Sequence, residues 1–309
     1  MQPIRQRLLT RSDFDGLACA VLLRHLGMVD EIRFVHPKDM QDGRVPVTPF
    51  DITANLPYVA DVHLAFDNHV SEARRHGSPR ANHILDPRAP STARVLYHYY
   101  GGVHRFPATF DELLAAVDKS ETGRFTIDDV LHPKGWELLS FLMDARTGLG
   151  RFRAFRISNY ALMQALIEQC LHLDVDEVLE LPDVRERVDL YFDHEERFQA
   201  QIRLRAELHG DVAVLDLRGE ETIYAGNRYT VFALVPRCGV SLHVLWGRDR
   251  RNTVLAANRS VFNRRCRVSI GELMLRYGGG GHAGAGTCQV ENDRADKVLG
   301  ELIEQLRTE

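Results

Sequence analysis

Two aspartates follow a short apolar run near the start of the chain, in the order Asp13-Phe14-Asp15-Gly16. Two carboxylates spaced in this way at a strand-to-helix turn can converge on a hard divalent cation, and such oxygen ligands favour Mg²⁺ or Mn²⁺. Gly16 permits a tight turn into the helix. The same residues also fit a solvated turn in which an aspartate caps the helix, so the motif alone leaves both interpretations open.

A second polar cluster, Asp67-Asn68-His69, follows the apolar segment that ends at Phe66. Aspartate and histidine together supply a hard and a borderline metal ligand. The Asp-Asn pair is also common in ordinary turns. Asp51 and Asp118 are two further candidates, although an exposed aspartate is the simpler interpretation of each when it is taken alone.

Residues 277–286 read Tyr-Gly-Gly-Gly-Gly-His-Ala-Gly-Ala-Gly and hold six of the 23 glycines. A glycine-rich turn lets backbone N–H groups bind an oxyanion, and His282 can donate to a phosphate. Apolar residues before the run and an apparent strand after it favour a loop inside a folded domain over a flexible linker. Arginine, which binds phosphate in a bidentate manner, is concentrated just upstream. These arginines are Arg248, Arg250, Arg251, Arg259, Arg264, Arg265 and Arg267.

The elements that must position these residues alternate between strand and helix in the first half of the chain. This alternation predicts a parallel sheet covered on both faces. In such a sheet the ligand crevice lies beyond the carboxyl ends of the strands, which is where both polar clusters fall. Strands are predicted at 8–10, 31–35 and 62–66, and a helix at 17–26.

The second half begins with a long polar amphipathic segment and then becomes rich in strand-forming residues. Strands are predicted at 212–215, 229–234, 240–245 and 287–290, and a final helix at 293–306. The chain of 309 residues is therefore divided into three predicted parts. These are an α/β domain at 1–182, a linker helix at 183–207 and a smaller α/β domain at 208–309.

Composition narrows the class of protein. With 44% hydrophobic and 27% charged residues the chain can bury an ordinary core. The net charge of −4 excludes a uniformly basic nucleic-acid coat, so any nucleic-acid contact needs a local patch. Five scattered cysteines without a Cys-x-x-Cys pair predict a reducing, cytoplasmic location. No run approaches the ~18 apolar residues of a membrane span, so no membrane partner is expected.

The order of these parts resembles the DHH/DHHA1 phosphoesterases, the superfamily of RecJ-like exonucleases, nanoRNases, exopolyphosphatases and manganese pyrophosphatases. Asp13-Phe14-Asp15-Gly16 resembles its first motif, and Asp67-Asn68-His69 stands where the Asp-His-His triplet belongs. Asp51, with Asp61 as an alternative, resembles the second-motif aspartate. Asp118 is similar to the fourth. The segment 278–286, preceded by Arg259-Ser260, resembles the signature of the DHHA1 domain.

The resemblance implies a hydrolase in which one or two Mn²⁺ or Mg²⁺ ions activate water for attack on phosphorus. An N-terminal parallel-sheet DHH domain would hold the metal. A helical linker would follow, and then a smaller C-terminal α/β DHHA1 domain, with substrate in the cleft between the domains. The implied catalytic residues are Asp13, Asp15, Asp67 and His69. The implied metal ligands are Asp13, Asp15, Asp51 as the bridging residue, Asp67 and Asp118. The implied substrate-binding residues are Arg259, Ser260, Gly279, Gly280, Gly281 and His282.

Two positions depart from the family pattern. Leu9 stands where many members have a metal-binding histidine, and Asn68 replaces the first histidine of the triplet. An amide carbonyl is a neutral, weaker ligand than imidazole for Mn²⁺, so Asn68 is a doubtful ligand. Metal binding is still expected, either weaker or with one ion site only partly filled.

Three functions therefore compete. The leading prediction is a metal-dependent phosphohydrolase acting on a short single-stranded oligonucleotide, a nucleotide phosphate or polyphosphate. The alternative is a non-catalytic phosphate- or nucleotide-binding protein on a degenerate DHH scaffold. A phosphatase with an aspartate nucleophile is disfavoured, because Leu17 stands where such enzymes have threonine and the glycine-histidine run is left unexplained. A homodimer stays open, since no sequence feature establishes it.

Overall fold

The structure, a computed structural model, describes residues 6–76, 80–152 and 154–307. The chain divides into two compact units. The boundary between the units falls between Asp189 and Leu190, within the helix that was predicted as a linker. Two short segments from the first half of the chain belong to the second unit. The three-part division at 182 and 207 stays a prediction. The first unit comprises Met1–Arg124, Pro133–Ala145 and Gly150–Asp189, and the second comprises Phe125–His132, Arg146–Leu149 and Leu190–Glu309.

A five-stranded sheet forms the centre of the first unit, and all of its pairings are parallel, as predicted. The strand order is β2-β1-β3-β4-β5. Strand β2 pairs with one side of β1 and β3 pairs with the other side, so the direction of the strand order reverses at β1. The carboxyl end of β1 is therefore the point where ligands bind in sheets of this kind. The strands are β1 (Gln6–Thr10), β2 (Val29–Phe34), β3 (Asp51–Ala54), β4 (Leu64–Asp67) and β5 (His83–Leu85).

Thirteen α-helices occur in the described residues, and the first of them is a core helix. Every residue from Phe14 to Leu23 is buried. Gly16 is required here, because a Cβ at this position would lie 1.9 Å from the carbonyl oxygen of Arg11. The helices are α1 (Phe14–His25), α2 (Pro37–Gln41), α3 (Val70–His76), α4 (Thr92–Tyr99), α5 (Asp111–Thr122), α6 (Ile127–Leu131), α7 (Gly135–Met143), α8 (Asn159–His172), α9 (Val175–Glu180), α10 (Pro182–Arg205), α11 (Thr230–Leu234), α12 (Ile270–Leu275) and α13 (Ala295–Leu306).

A six-stranded mixed sheet in the order β10-β11-β9-β8-β7-β6 forms the second unit's centre. Only the β7–β8 pairing is parallel among its described pairings. Apolar residues of the sheet pack with α12 and α13 around Leu242, Met274 and Leu302, which are buried. The strands are β6 (Ala206–His209), β7 (Val212–Asp216), β8 (Val240–Trp246), β9 (Thr253–Arg259), β10 (Gly280–His282) and β11 (Ala285–Val290).

One predicted strand is wrong. The segment 229–234 forms the short helix α11, because Asn227 starts a turn there. Its side chain accepts a hydrogen bond from the Tyr229 N–H at 2.8 Å, and its carbonyl accepts one from Thr230 at 3.1 Å. A short apolar run has no periodicity that separates strand from helix, so the local turn decided the outcome. Strand β9, which was not predicted, carries Arg259 at its end.

The five cysteines are all free and buried. None of the helices in the described part of the chain combines the length and the apolar character needed to cross a membrane.

Candidate active site

Asp13 lies just beyond the carboxyl end of β1 and caps α1. Its Oδ1 accepts a hydrogen bond from the Gly16 N–H at 3.0 Å, which satisfies one of the free N–H groups of the first turn. Its Oδ2 lies 2.9 Å from Nε of Arg11. The capping interpretation of this motif is therefore confirmed, and the carboxylate also stands at the crevice edge of the sheet.

Asp15, in the first turn of α1, is almost fully buried and points at the start of α4. Its Oδ2 accepts a hydrogen bond from Thr92 N–H at 2.9 Å, and its Oδ1 accepts one from Ala93 N–H at 2.7 Å. A carboxylate is stabilised at a helix N-terminus by such N–H groups and by the helix dipole. Burial, and then the charge of Asp13, nevertheless raise the pKa of Asp15 to about 6.

Asp67 ends β4 and holds His69. Its Oδ1 accepts from the N–H groups of Asn68 at 2.8 Å and of His69 at 3.2 Å, and it lies 2.6 Å from Nδ1 of the His69 ring. This hydrogen bond raises the pKa of His69 to about 9, against the opposing effect of burial. The ring is thus oriented by Asp67 through Nδ1.

Asn68 braces the loop after β4 against α4. Its Nδ2 donates to the carbonyl oxygen of Ala89 at 3.1 Å, and its Oδ1 accepts from the Thr92 hydroxyl at 3.0 Å. The residue that replaces the first histidine of the triplet therefore uses its side chain for protein contacts. Its role as a metal ligand has no support from this arrangement.

The structure does not bring Asp51 to this edge. Asp51 is the first residue of β3, and its carboxylate pairs with Arg7 at 2.7 and 2.9 Å and accepts from the Thr48 N–H at 2.7 Å. In a parallel sheet the first residue of a strand lies at the edge opposite the carboxyl ends, about 10–13 Å away for a strand of this length. The expectation that Asp51 bridges two ions is therefore incompatible with its position. Asp61, the alternative, lies before β4 and so is not at its carboxyl end.

Asn55 occupies the position expected of Asp51. It follows β3 directly, and its Nδ2 donates to Asp13 Oδ1 at 3.0 Å. The residue is 3% exposed and has a left-handed backbone with φ of 56°. The sequence analysis did not select Asn55. The same signal, a polar residue directly after an apolar strand, had selected the clusters that begin at Asp13 and Asp67.

Asp118, on α5, also makes protein contacts, and both of its partners lie at the start of α4. It accepts from Ser91 Oγ at 2.6 Å and pairs with Arg94 at 2.7 Å. Glu121, one turn further along the same helix, interacts electrostatically with Asp15, Asp13 and His69 instead. Although part of its side chain is exposed, desolvation of the carboxyl group, followed by the charges of Asp15 and Asp13, raises the pKa of Glu121 to about 8. This acidic residue was also missed.

The donor set at the edge suits a hard divalent cation, because it offers carboxylate oxygens and one imidazole. Among the described residues, however, no three His, Cys, Asp or Glu side chains stand around a common point as they would around an ion. The reason is that the carboxylates are turned to protein donors. A cation would have to compete with Arg11 for Asp13 and with His69 for Asp67.

The glycine-rich segment of the second unit is a β-hairpin. Strand β10 pairs with β11, and Ala283-Gly284 form the turn between them. Several glycines are needed for close packing. A Cβ at Gly279 would lie 2.1 Å from Thr287 O, and one at Gly281 would lie 2.2 Å from Ala285 O. Gly280 has open space around it and is half-buried, and His282 is exposed.

Arg259 and Ser260 adjoin this hairpin. The Arg259 N–H donates to Gly284 O at 2.8 Å, which places the end of β9 beside the turn. Ser260 is buried, and its Oγ accepts from the N–H groups of Phe262 at 3.1 Å and Asn263 at 2.9 Å. Ser260 therefore stabilises a turn, whereas Arg259 is half-buried beside the hairpin.

The solved structures that are similar to this chain include one close and two distant relatives. The chain is 54% identical to the pGpG-specific phosphodiesterase PggH from Vibrio cholerae, with a TM-score of 0.86, over 98% of this chain and 99% of that one. RecJ from Thermus thermophilus, in complex with Mn²⁺, is 16% identical with a TM-score of 0.50, over 98% of this chain and 52% of RecJ. CDC45 from Entamoeba histolytica is 7% identical with a TM-score of 0.51, over 97% of this chain and 95% of CDC45.

The two distant similarities show the fold alone, whereas the first extends over both chains at more than half identity. No protein-family model and no curated protein matches the sequence. Two features of the structure agree with the full-length similarity to PggH. They are the polar residues at the carboxyl edge of the parallel sheet and the Asp67-Asn68-His69 triplet after β4. This chain belongs to the DHH/DHHA1 phosphoesterases, in the family of the pGpG phosphodiesterase, and is a phosphodiesterase.

Proposed function

We propose that this protein hydrolyses the linear dinucleotide pGpG to two molecules of GMP, with Mn²⁺ or Mg²⁺ as its cofactor. The observation that carries the proposal is the 54% identity to the pGpG-specific enzyme over 98% of the chain. The substrate class agrees with the short oligonucleotide expected from the sequence. Water supplies the oxygen that bonds to phosphorus, and the 3′ oxygen of the first nucleotide leaves with a proton.

Asp13, Asp15 and Asp67 are the residues that would hold the cation, and Glu121 stands within electrostatic reach of the first two. When bound, a divalent cation lowers the pKa of water and offsets charge on the phosphoryl group. The α4 N–H groups hold Asp15, and Asn55 holds Asp13, so both carboxylates have restricted orientations. His69, fixed through Nδ1 by Asp67, can hold a proton on Nε2 and donate it to the leaving oxygen.

Residues of the second unit are proposed to bind the substrate's phosphate. Arg259 can bind it as a fork of two N–H groups, and exposed His282 can donate to it. The backbone of Gly279, Gly280 and Gly281 contributes through the shape of the hairpin. Ser260 is left out of this set because it is buried and its side chain stabilises the turn at Phe262 and Asn263.

The test is chromatography of the products formed from pGpG, pApA and a longer oligoguanylate by the full chain with Mn²⁺. We expect GMP as the sole product of pGpG, because each half of the dinucleotide is a GMP unit. We expect at least about tenfold slower turnover of pApA, because the similar enzyme is pGpG-specific and an enzyme that selects a base by hydrogen bonds rejects one lacking the matching groups. Asp67→Asn is expected to reduce turnover at least about a hundredfold, since it removes a charged ligand and releases His69.

Asp39→Ala is the matched control, because Asp39 is a half-exposed aspartate on α2 that pairs only with surface Arg44 in the described contacts. Its turnover should equal that of the wild type. The absence of GMP from pGpG, with the protein folded and Mn²⁺ present, would refute the proposed activity. Binding of pGpG without turnover would instead establish the non-catalytic alternative.

A further inference from the structure

Three exposed arginines lie in the loop between β9 and α12. We call residues 260–269 the arginine loop, and its exposed arginines are Arg264, Arg265 and Arg267. No Asp or Glu occurs between positions 259 and 271 of the sequence. The proposed phosphate-binding set uses only Arg259 from this part of the chain, so the charges of the arginine loop have no role in it.

Both ends of the arginine loop are tied to the turn of the glycine hairpin. Just before the loop, the Arg259 N–H donates to Gly284 O at 2.8 Å. Just after it, the Ile270 N–H donates to Ala283 O at 3.0 Å. The loop therefore leaves the hairpin turn and comes back to it within the same unit.

The charges of the loop stay close to its two ends. Arg264 folds back, because its Nε donates to Val261 O at 2.9 Å, and Val261 is two residues from Arg259. An extended chain spans at most about 3.6 Å per residue, so this guanidinium lies about 10 Å or less from the Arg259 backbone. Arg267 is three residues from Ile270, so its backbone lies at most about 11 Å from that end.

A fourth arginine joins the surface from another segment. Arg237 is exposed and precedes β8, and its carbonyl oxygen accepts a hydrogen bond from Asn263 Nδ2 at 3.0 Å. The Ser260 N–H donates to Gly239 O at 2.8 Å, which fixes the start of the arginine loop beside the same segment.

These positive charges exceed the negative charges close to them. Asp211, which is half-buried before β7, and Glu272, which is exposed on α12, are the neighbouring acidic residues. In the described part of the chain, no ion pair involves Arg237, Arg265 or Arg267. The surface is therefore locally basic, although the whole chain has a net charge of −4.

A small anion gains from such a surface without touching it. The dinucleotide pGpG has a terminal phosphate and one phosphodiester, which together carry about three negative charges. One pair of opposite charges about 10 Å apart in water attracts by less than the thermal energy. Several arginines acting on several phosphate charges add up, and they raise the local concentration of the anion.

We propose that the arginine loop, together with Arg237, is an electrostatic surface that attracts the anionic dinucleotide to the glycine hairpin. This inference rests on the proposed function and adds to it a set of residues that act by charge alone. Arg259 contacts the phosphate, whereas the loop arginines favour its binding from a distance.

The test compares the wild type with a loop variant that combines Arg264→Gln, Arg265→Gln and Arg267→Gln. Equilibrium dialysis with EDTA measures the affinity for pGpG, and steady-state kinetics with Mn²⁺ measure KM. In about 50 mM NaCl, where charges are screened over about 14 Å, the variant should bind at least about fivefold more weakly, with a matching rise in KM. In about 500 mM NaCl, where that distance is about 4 Å, the difference should fall within about twofold.

Two controls separate local charge from other effects. Combining Arg248→Gln, Arg250→Gln and Arg251→Gln removes the same charge at the other end of β9, about 20 Å away, and should change the affinity by less than about twofold. Replacing the three loop arginines by lysine keeps the charge and loses the planar fork, so this variant should bind pGpG as the wild type does.

Unchanged affinity of the glutamine loop variant at about 50 mM NaCl overturns the inference, and so does an equal loss in the control at the other end of β9. A loss in the lysine variant overturns it as well, because it shows direct contact. If the loop variant loses affinity only for a longer oligoguanylate, the surface binds nucleic acid and the inference is wrong. If the combined variant does not fold, Arg265→Gln and Arg267→Gln alone should each weaken binding at least about 1.5-fold, again only at low salt.

Failure of the proposed function gives a different result. Binding of pGpG in dialysis without hydrolysis in Mn²⁺ refutes the activity, and the affinities of the variants still decide the role of the arginine loop. The absence of any pGpG binding to the wild type refutes both proposals.

Discussion

Asp15, one of the proposed metal ligands, has a pKa that its surroundings raise. Its carboxylate is buried and lies close to Asp13, and these two effects outweigh the two α4 N–H groups that favour its charged form. The pKa near 6 lies above the ordinary aspartate value of 3.8. The metal-free protein thus keeps a costly charge at neutral pH, a charge that a cation would offset.

We expect the affinity for Mn²⁺ to fall as the pH decreases through about 6. Below its pKa Asp15 carries a proton that the cation must displace, so at about pH 5 the affinity should be about tenfold lower than at about pH 7.5. The sign follows from the raised pKa, because a carboxyl group with an ordinary value would stay charged down to about pH 4. Calorimetric titration at the two pH values checks this, and equal affinities would contradict it.

Asp51 contributes to the stability of the parallel sheet and lies away from the proposed metal ligands. The residue is buried at the edge opposite the polar clusters, where it pairs with Arg7 and accepts from the Thr48 N–H. Asp51→Ala should lower the free energy of unfolding by about 1–3 kcal/mol, because it leaves Arg7 without its partner while Arg7 keeps some contact with solvent.

Chemical denaturation with urea measures this loss, and Mn²⁺ titration of the same protein should be unchanged within about twofold, as expected for a residue about 10 Å from the ligands. Asp39→Ala serves as the exposed control and should change the free energy of unfolding by less than about 0.5 kcal/mol. Loss of a bound Mn²⁺ ion in Asp51→Ala would restore the original prediction that Asp51 is a ligand.

For the glycine hairpin, the role predicted from the sequence differs from the role that the structure supports. A run of glycines indicated an oxyanion-binding loop, whereas several of these glycines let β10 pack closely on β11 and α12. Gly271 on α12 contributes to this packing, since a Cβ there would lie 2.4 Å from Gly281 O. Sterics therefore account for part of the pattern, and anion binding is left to the more open positions.

Neighbouring glycines of the hairpin should respond differently to alanine. Gly279→Ala should cost about 1–3 kcal/mol of stability, because its methyl group would lie 2.1 Å from Thr287 O and the backbone must shift. Gly280→Ala should change stability by less than about 0.5 kcal/mol, because nothing lies within 4 Å of the added Cβ. Urea denaturation of both variants tests the difference, and equal losses would contradict the packing argument.

Across the second unit, the tertiary structure separates arginines that are adjacent in sequence. Arg248, Arg250 and Arg251 lie at the turn between β8 and β9, where Arg248 and Arg251 are exposed. Arg259 ends β9, beside the glycine hairpin. The strand between them is seven residues long, so the two groups stand about 20 Å apart. One phosphate cannot contact both groups.

Of these two groups, only the arginine beside the hairpin should affect substrate binding. Arg259→Ala should raise KM for pGpG about tenfold or more, because a charge-assisted phosphate contact contributes about 1.5–3 kcal/mol. Arg251→Ala, which removes the same charge from the far end of β9, should leave KM within about twofold of the wild type. Steady-state kinetics on both variants decide the matter, and a similar rise in both would point to a general charge effect.

The sequence by itself determined the residue types and the class of scaffold. Alternating apolar segments predicted the parallel sheet, and Asp13, Asp15, Asp67 and His69 were found because polar residues at strand ends are local features. The family resemblance, based on these motifs and the glycine-histidine run, is confirmed by the full-length similarity to a pGpG phosphodiesterase.

Only the tertiary structure decided which residues meet. Spacing along the chain does not show at which residue a strand begins, and an error of about four residues moves a side chain from one edge of the sheet to the other. For this reason Asp51 was selected where Asn55 stands. Asp118 and Glu121 lie three positions apart on α5, and only the packing of that helix decides which carboxylate interacts with Asp13 and Asp15. The residues that contact Asp51, Asn55 and Asp118 lie 24 to 44 positions away from them in the sequence. Such contacts depend on strand order and helix packing, which no local pattern encodes.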